Sequence, residues 1–288
     1  MTLIIILIGM AFEHFVGVED KLRRYAWFND YARWLENRLA QHAVWNGSGG
    51  VVVTLAGPLL VVALITLVLS KLFFPLALLF SLVVLVYSLG PRYLNPQLDE
   101  LIEALEEGDW DRSRELMSAF SNDTDAFQSD QEILENILIE ANERLFGVLF
   151  WFIVLGPFGA MLYRLTCILR QQQRDIHGRY AESVQDLYNI LNWLPARLFT
   201  IGNAVTGNMM DAMEAWRDSE KQSLAVNEEV ICASGLGALS YQKQENVDDE
   251  SVLNDRIYWL RAVQGLLNRT LLAWLTVLGI MTLSGWMT

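Results

Sequence analysis

The chain has 288 residues, 53% of them apolar and only 19% charged, and the apolar residues are clustered. That composition excludes an ordinary soluble globule and defines an integral membrane protein. A net charge of −13 with no basic patch excludes nucleic acid as a partner, and the two cysteines, Cys167 and Cys232, lack the spacing of a disulfide framework or zinc site.

The first apolar run, Thr2–Val18, carries Glu13 and His14. It has no basic residues before it and no small-residue cleavage site after it, so it reads as an anchor rather than a signal peptide. Glu13 is its unusual intramembrane polar residue, because a carboxylate inside a bilayer is costly and tends to be functional. Asp20–Gln41 follows as a basic helix with Trp27, Tyr31, Trp34 and Leu35 on one stripe. Aromatics and arginines beside a span predict a helix lying in the membrane interface or packed on the protein's own polar part.

Val51–Leu69 and Leu72–Gly90 are two further spans, separated by Ser70-Lys71 alone, so they predict an antiparallel hairpin with Pro75 in the first turn of its helix. Lys21, Arg23, Arg24, Arg33 and Arg38 place the first loop, 19–50, in the cytoplasm and the N-terminus outside.

Asn95–Arg144 is strongly acidic. Two helices are expected here, broken at Gly108, with Leu98, Leu101, Ile102 and Leu105 on one apolar face that Trp110 and Leu116 continue, and with Asp109 as an N-cap. Ser121–Gln131 reads as a polar loop. The helix after it carries Glu132, Glu135, Glu140 and Glu143 along an edge. Asp109, Asp123 and Glu135 are candidate Mg²⁺ ligands, set against the plainer account that these carboxylates only solvate helix faces.

Ala141–Leu165 is apolar enough to enter a membrane, yet holds Gly156-Pro157-Phe158-Gly159 at its centre and Arg144 and Arg164 at its ends. Basic residues at both ends favour a broken, re-entrant segment over a kinked span, provided protein covers its freed backbone groups. Beyond it, the stripe Tyr180, Val184, Leu187, Leu191 and Leu194 predicts a helix that Pro195 interrupts. Met209, Met210, Met213 and Trp216 belong to a polar helical region, "GLGAL" reads as a loop, and Leu271–Met287 is the last span. The expected fold is all-α and membrane-integral. It has four spanning helices plus the broken segment 145–165, arranged as blocks 1–90, 91–200 and 201–288, with cytoplasmic helical regions.

No P-loop, dinucleotide fingerprint, HExxH or GxSxG is present, and the three histidines are scattered. Arg164, Arg197 and Arg174 are candidate phosphate ligands, since guanidinium forks fit phosphate oxygens, and Tyr163 stands beside the first of them.

"LFWF…GPFGAMLYR", "ALEEGDWDRSR", "NDT" and "NWLPARL" together resemble the integral-membrane adenosylcobinamide-phosphate synthases of cobamide assembly, over roughly Leu98–Leu198. The matching positions include Leu149, Phe150, Trp151, Gly156, Gly159, Tyr163, Arg164, Gly108, Asp109, Asp123, Thr124, Asn192, Trp193, Pro195 and Arg197. The resemblance also shows departures. Cys167 and Arg170 stand where those synthases keep an Asn and an Asp, and Tyr188-Asn189 replaces a pair of Asp. The layout of the whole chain is similar to the AmpE-type inner-membrane proteins. That likeness implies a membrane signalling modulator in β-lactamase induction and peptidoglycan recycling, with a cytoplasmic amidase or a peptidoglycan-derived ligand as partner and no firm cofactor. The alternative is an active membrane enzyme that takes a phosphate-bearing amphiphile, with Mg²⁺ and a nucleotide. A transporter fits less well, because internal repeats are absent.

Overall fold

The computed structural model describes residues 2–16, 25–39, 45, 47–89, 94–118, 129–173, 178–222, 227–242 and 249–285. These residues are mostly helical, with no strand among them. The chain divides into two compact units, each assembled from separated stretches. Unit 1 holds 1–92 and 143–193, and unit 2 holds 93–142 and 194–286.

In unit 1, α1 (Thr2–Val16), α3 (Ser48–Leu72) and α4 (Phe74–Ser88) pack with α8 (Gly147–Gln172), and α2 (Ala26–Leu39) joins their core through Phe28. The α3–α4 hairpin is tighter than its sequence suggests. A single extended residue, Phe73 (φ −158°, ψ 104°), separates the helices, and Pro75 sits at the start of α4. Large apolar side chains on the two helices stand in the open, among them Leu60, Leu64, Leu67, Phe74 and Leu79. An exposed apolar face of this extent is what a bilayer covers.

The stripe predicted for α2 divides, with Tyr31 and Leu35 turned inward. Phe28, Ala32 and Leu35 are buried, whereas Trp27 and Trp34 face outward. Arg38 lies over the Trp34 ring at 5.1 Å. Outward tryptophans beside an arginine suit a membrane interface.

The broken segment turns back on itself. Gly156 has φ 64° and ψ −150°, a backbone region essentially closed to residues with a Cβ, and Pro157 after it has no N–H to extend the first arm. In a straight helix Gly147 and Tyr163 would be about 24 Å apart along the axis. Here a Cβ on Gly147 would run into the Tyr163 ring. The two arms of α8 therefore lie side by side, as a re-entrant hairpin requires.

Three helical stretches are long and apolar enough to cross a membrane, Ser48–Leu72, Asp130–Gln172 and Val252–Leu283. Length and composition alone do not confirm the expected count of four spanning helices. α1 and α4 have 15 residues each, about 22 Å of helix against a hydrocarbon core of about 30 Å.

Unit 2 comprises α5 (Leu94–Glu106), α6 (Trp110–Ser118), α7 (Asp130–Ala141), the C-terminal end of α9 (Arg179–Thr206), α10 (Met209–Gln222), α11 (Asn227–Ala238) and α12 (Asp249–Leu283). The predicted break falls at Gly108 (φ 72°), and the side chain of Asp109 caps α6 by accepting the Arg112 N–H at 3.1 Å. Leu98, Leu101, Ile102 and Leu105 are buried as expected, but Trp110 is exposed. Ser129 and Glu132 start α7 with a reciprocal capping box.

Two further expectations fail. "GLGAL" is not a loop, because Gly235 and Gly237 lie inside α11 and let it approach the Leu138 side chain and the Asp211 backbone closely. Pro195 does not end its helix, and α9 runs through it. The last apolar run is the C-terminal part of one 35-residue helix, α12.

Candidate functional site

A five-residue turn of π-helix, Asn142–Phe146, joins α7 to α8 and brings Glu143 to the start of the hairpin. Such π turns recur at functional sites. Glu143 is buried, and its Oε1 receives two donors. Arg170 Nη1, on the second arm of α8, donates at 2.8 Å, and Tyr188 Oη, on α9, donates at 2.6 Å. The ion pair closes the hairpin, since residues 143 and 170 would be about 40 Å apart in one straight helix.

The network continues inward. Tyr163 Oη donates to Asn192 Oδ1 at 2.9 Å, and Asn192 Nδ2 donates to Tyr188 Oη at 3.0 Å. All three side chains are buried. Each donor in this chain points toward Glu143, so the hydrogen bonds polarise one another and strengthen the Tyr188 hydroxyl as a donor to that carboxylate. Arg170 also lies 4.0 Å over the Tyr188 ring and donates through Nε to Gln185 at 3.0 Å.

Arg164 lies one residue beyond Tyr163 and differs from Arg170. It is 5% exposed, and its Nε has no hydrogen-bond partner among the described residues. Its guanidinium lies 5.6 Å from the Tyr25 ring centroid. The Tyr25 hydroxyl is engaged elsewhere, donating to the Tyr87 carbonyl at 2.7 Å. A ring face recovers only part of what a buried cation loses on leaving water. The remaining desolvation cost of Arg164 is not offset by any hydrogen bond to its Nε among the described residues.

The candidate residues thus separate. Tyr163 and Arg164 belong to unit 1, and Arg197, Asp109 and Glu135 to unit 2. Arg197 Nη1 donates to Asn227 at 2.9 Å. Asp109 is occupied in capping, and Glu135 accepts from Gln131 at 2.8 Å. Asp123 and Arg174 lie outside the described residues, and for Glu13 the backbone alone is described, within α1. No three His, Cys, Asp or Glu side chains converge on a possible metal position among the described residues, which do not include Asp123, one of the three carboxylates named for Mg²⁺.

Glu143, Tyr188 and Asn192 are the functional candidates that sequence reasoning missed. Glu143 reads as one of several solvated carboxylates. The signal that could have found it is its position against the apolar run, where a carboxylate needs a buried partner. Arg170 and Tyr188, two of the departures from the synthase pattern, both address this one carboxylate.

A helical hairpin buried in apolar surroundings, carrying an internal ion pair and an unpaired arginine, defines a membrane protein built around a polar core. Residues 6–246 match the family described as CobD/Cbib protein, and the chain belongs to that family. It is 31% identical over 186 residues to the cobalamin biosynthesis protein CobD of Chromobacterium violaceum, covering 62% of this chain and 57% of that protein. It is 31% identical over 170 residues to the CobD of Stutzerimonas stutzeri, covering 55% of each chain. The chain therefore spans little more than half the length of these two relatives. A probable CobD of Methanothermobacter thermautotrophicus is 26% identical over 263 residues, with 84% of each chain covered. No solved structure matches the chain.

These relatives overturn the expectation of a signalling modulator in β-lactamase induction and peptidoglycan recycling. All three are named for cobalamin biosynthesis.

Proposed function

We propose that this chain is a membrane enzyme that acts on a phosphate-bearing amphiphile at a step of cobamide assembly, in the bacterial inner membrane. The observation that carries the reading is Arg164, a buried guanidinium with an unsatisfied Nε in the core of unit 1. An ionised side chain inside an apolar segment is expensive and persists where function needs it. A guanidinium supplies a planar fork that fits phosphate oxygens. In the same unit, the chain from Tyr163 through Asn192 and Tyr188 fixes the position of the buried Glu143 carboxylate. The names of the relatives supply the pathway.

In this reading α1, α3, α4 and α12 cross the bilayer, the α8 hairpin dips in and returns, and the basic first loop is cytoplasmic. Shortness of α1 and α4 is met by local thinning of the bilayer or by flanking residues that reach the interface.

Expression of the chain in a bacterium lacking its CobD tests the proposal, scored by formation of adenosylcobinamide phosphate. Wild type is expected to restore the product, Arg164→Lys to restore it only in part because lysine lacks the fork, and Arg164→Ala to abolish it. A well-inserted wild-type protein that yields none would remove the cobamide assignment. An unaffected Arg164→Ala would remove the site.

A further inference from the structure

Unit 2 carries a cleft of about 920 Å³ that the site in unit 1 does not use. Its floor is one face of α12, where Tyr258, Ala262, Gly265 and Arg269 recur at helical spacing, and Leu105 and Leu239 form part of its walls. A Cβ on Gly265 would meet nothing within 4 Å, so the cleft stays open at its centre. The charged lining residues are Glu106, Arg261 and Arg269, two cations against one anion. Arg261 pairs with Glu106. Arg269 is exposed and makes no ion pair among the described residues.

The same face continues past Arg269. Leu272, Ile280 and Leu283 follow on it at helical spacing, all with more than half of their surface exposed. They lie in the apolar part of Val252–Leu283, which is long and apolar enough to cross a membrane. Arg269 stands two residues before Leu271, at the edge of that apolar part, where a bilayer places its phosphates. One helix face therefore presents an open cleft, a single uncompensated positive charge and an apolar track, in that order.

We propose that this face is a binding site for an anionic phospholipid of the surrounding membrane. Its phosphodiester meets Arg269, its headgroup occupies the cleft beside Tyr258 and Gly265, and one acyl chain lies along Leu272 and Ile280. The single surplus cation matches the single negative charge of phosphatidylglycerol. A zwitterionic headgroup would bring its own cation into a cleft that already holds two arginines.

The test uses the full chain purified in a neutral detergent. Thermal unfolding is followed while phosphatidylglycerol, phosphatidylcholine or inorganic phosphate is added. Phosphatidylglycerol is expected to raise the midpoint well above the other two. Arg269→Gln should weaken that response about 10- to 100-fold in lipid concentration, as loss of a charged hydrogen bond implies. Gly265→Leu, which fills the open cleft without a backbone clash, should abolish it, and Arg114→Gln, away from the cleft, should leave it intact. An equal response to phosphatidylcholine would overturn the proposal. So would a full response to phosphate alone, or a phosphatidylglycerol response retained in both cleft variants.

Discussion

The indole Nε1 of Trp151 donates a 2.9 Å hydrogen bond to the backbone carbonyl of Leu191. Leu191 is four residues before Pro195, and Pro195 has no N–H with which to serve that carbonyl. The proline lies inside α9, and a tryptophan from the first arm of the α8 hairpin supplies the donor that the helix lacks. The tryptophan of "LFW" thus serves the carbonyl that the proline of "NWLPARL" leaves without its helical donor. Trp151→Phe is expected to cost about 1–2 kcal/mol, from the buried acceptor left unmade. Pro195→Ala should recover most of that loss in the Trp151→Phe background, because alanine restores the N–H. Thermal midpoints of the four proteins form the cycle, and additive effects would show that the two residues are not coupled.

The pair of Glu143 and Arg170 makes a second cycle. Arg170→Ala leaves a buried carboxylate with its cation gone, a loss of about 3–5 kcal/mol. The double variant Glu143→Gln with Arg170→Gln should be markedly less damaging than the sum of the single changes, since it leaves no buried charge at this point. Unfolding in detergent, read by circular dichroism, measures both. Equal damage in single and double variants would mean that the hairpin does not depend on this ion pair.

Arg164 gives the opposite sign. With no ion pair or hydrogen bond of its own among the described residues, it contributes desolvation cost and little attraction. Arg164→Met should raise the stability of the ligand-free protein by on the order of 1 kcal/mol while removing the proposed activity, a trade common at functional positions. A destabilised Arg164→Met protein would show instead that the arginine has a structural partner.

Neither cysteine should label in the folded protein. Cys167 is buried. Burial, followed by the charges of Glu135, Glu228 and Glu229, holds the Cys232 thiol well above its ordinary pKa. A raised pKa keeps the protonated form through neutral pH, and only the thiolate reacts. Maleimide at pH 7 is therefore expected to modify wild type only after denaturation. This permits a topology test without removing native cysteines. Arg179→Cys should label from the cytoplasmic side alone, whereas labelling from outside would show that α8 crosses the bilayer.

The apolar runs, the break at Gly108 and the Asp109 cap were legible because each depends on residues a few positions apart. Gly156-Pro157 was legible as a break for the same reason, and the arginines at both ends of the segment pointed to a fold-back. What the sequence hid involves partners far along the chain. Pro195 signals a helix end until a tryptophan 44 residues earlier supplies the missing donor. Glu143 looks like a solvated carboxylate until Arg170, 27 residues later, folds back onto it. Trp27 and Trp34 left the membrane interface and the protein's own polar part both open, and the inward face of α2 shows only once Phe28 packs into the core of unit 1. Gly235 and Gly237 announce a turn in isolation, and their role in close packing shows only once Leu138 and Asp211 stand beside them.

The fold-back at Gly156 also bears on how the protein is made. A segment that enters and leaves by the same face adds nothing to the count of crossings. On the proposed topology, the polar stretch from α9 to α11 never has to be exported, and the ribosome can release it directly into the compartment where it folds. Were Gly156 replaced by a residue with a side chain, the segment would tend to straighten into a true crossing. Everything from α9 to α11 would then be committed to the wrong side of the membrane, so the cost of that one substitution would fall on biogenesis before it reached the site.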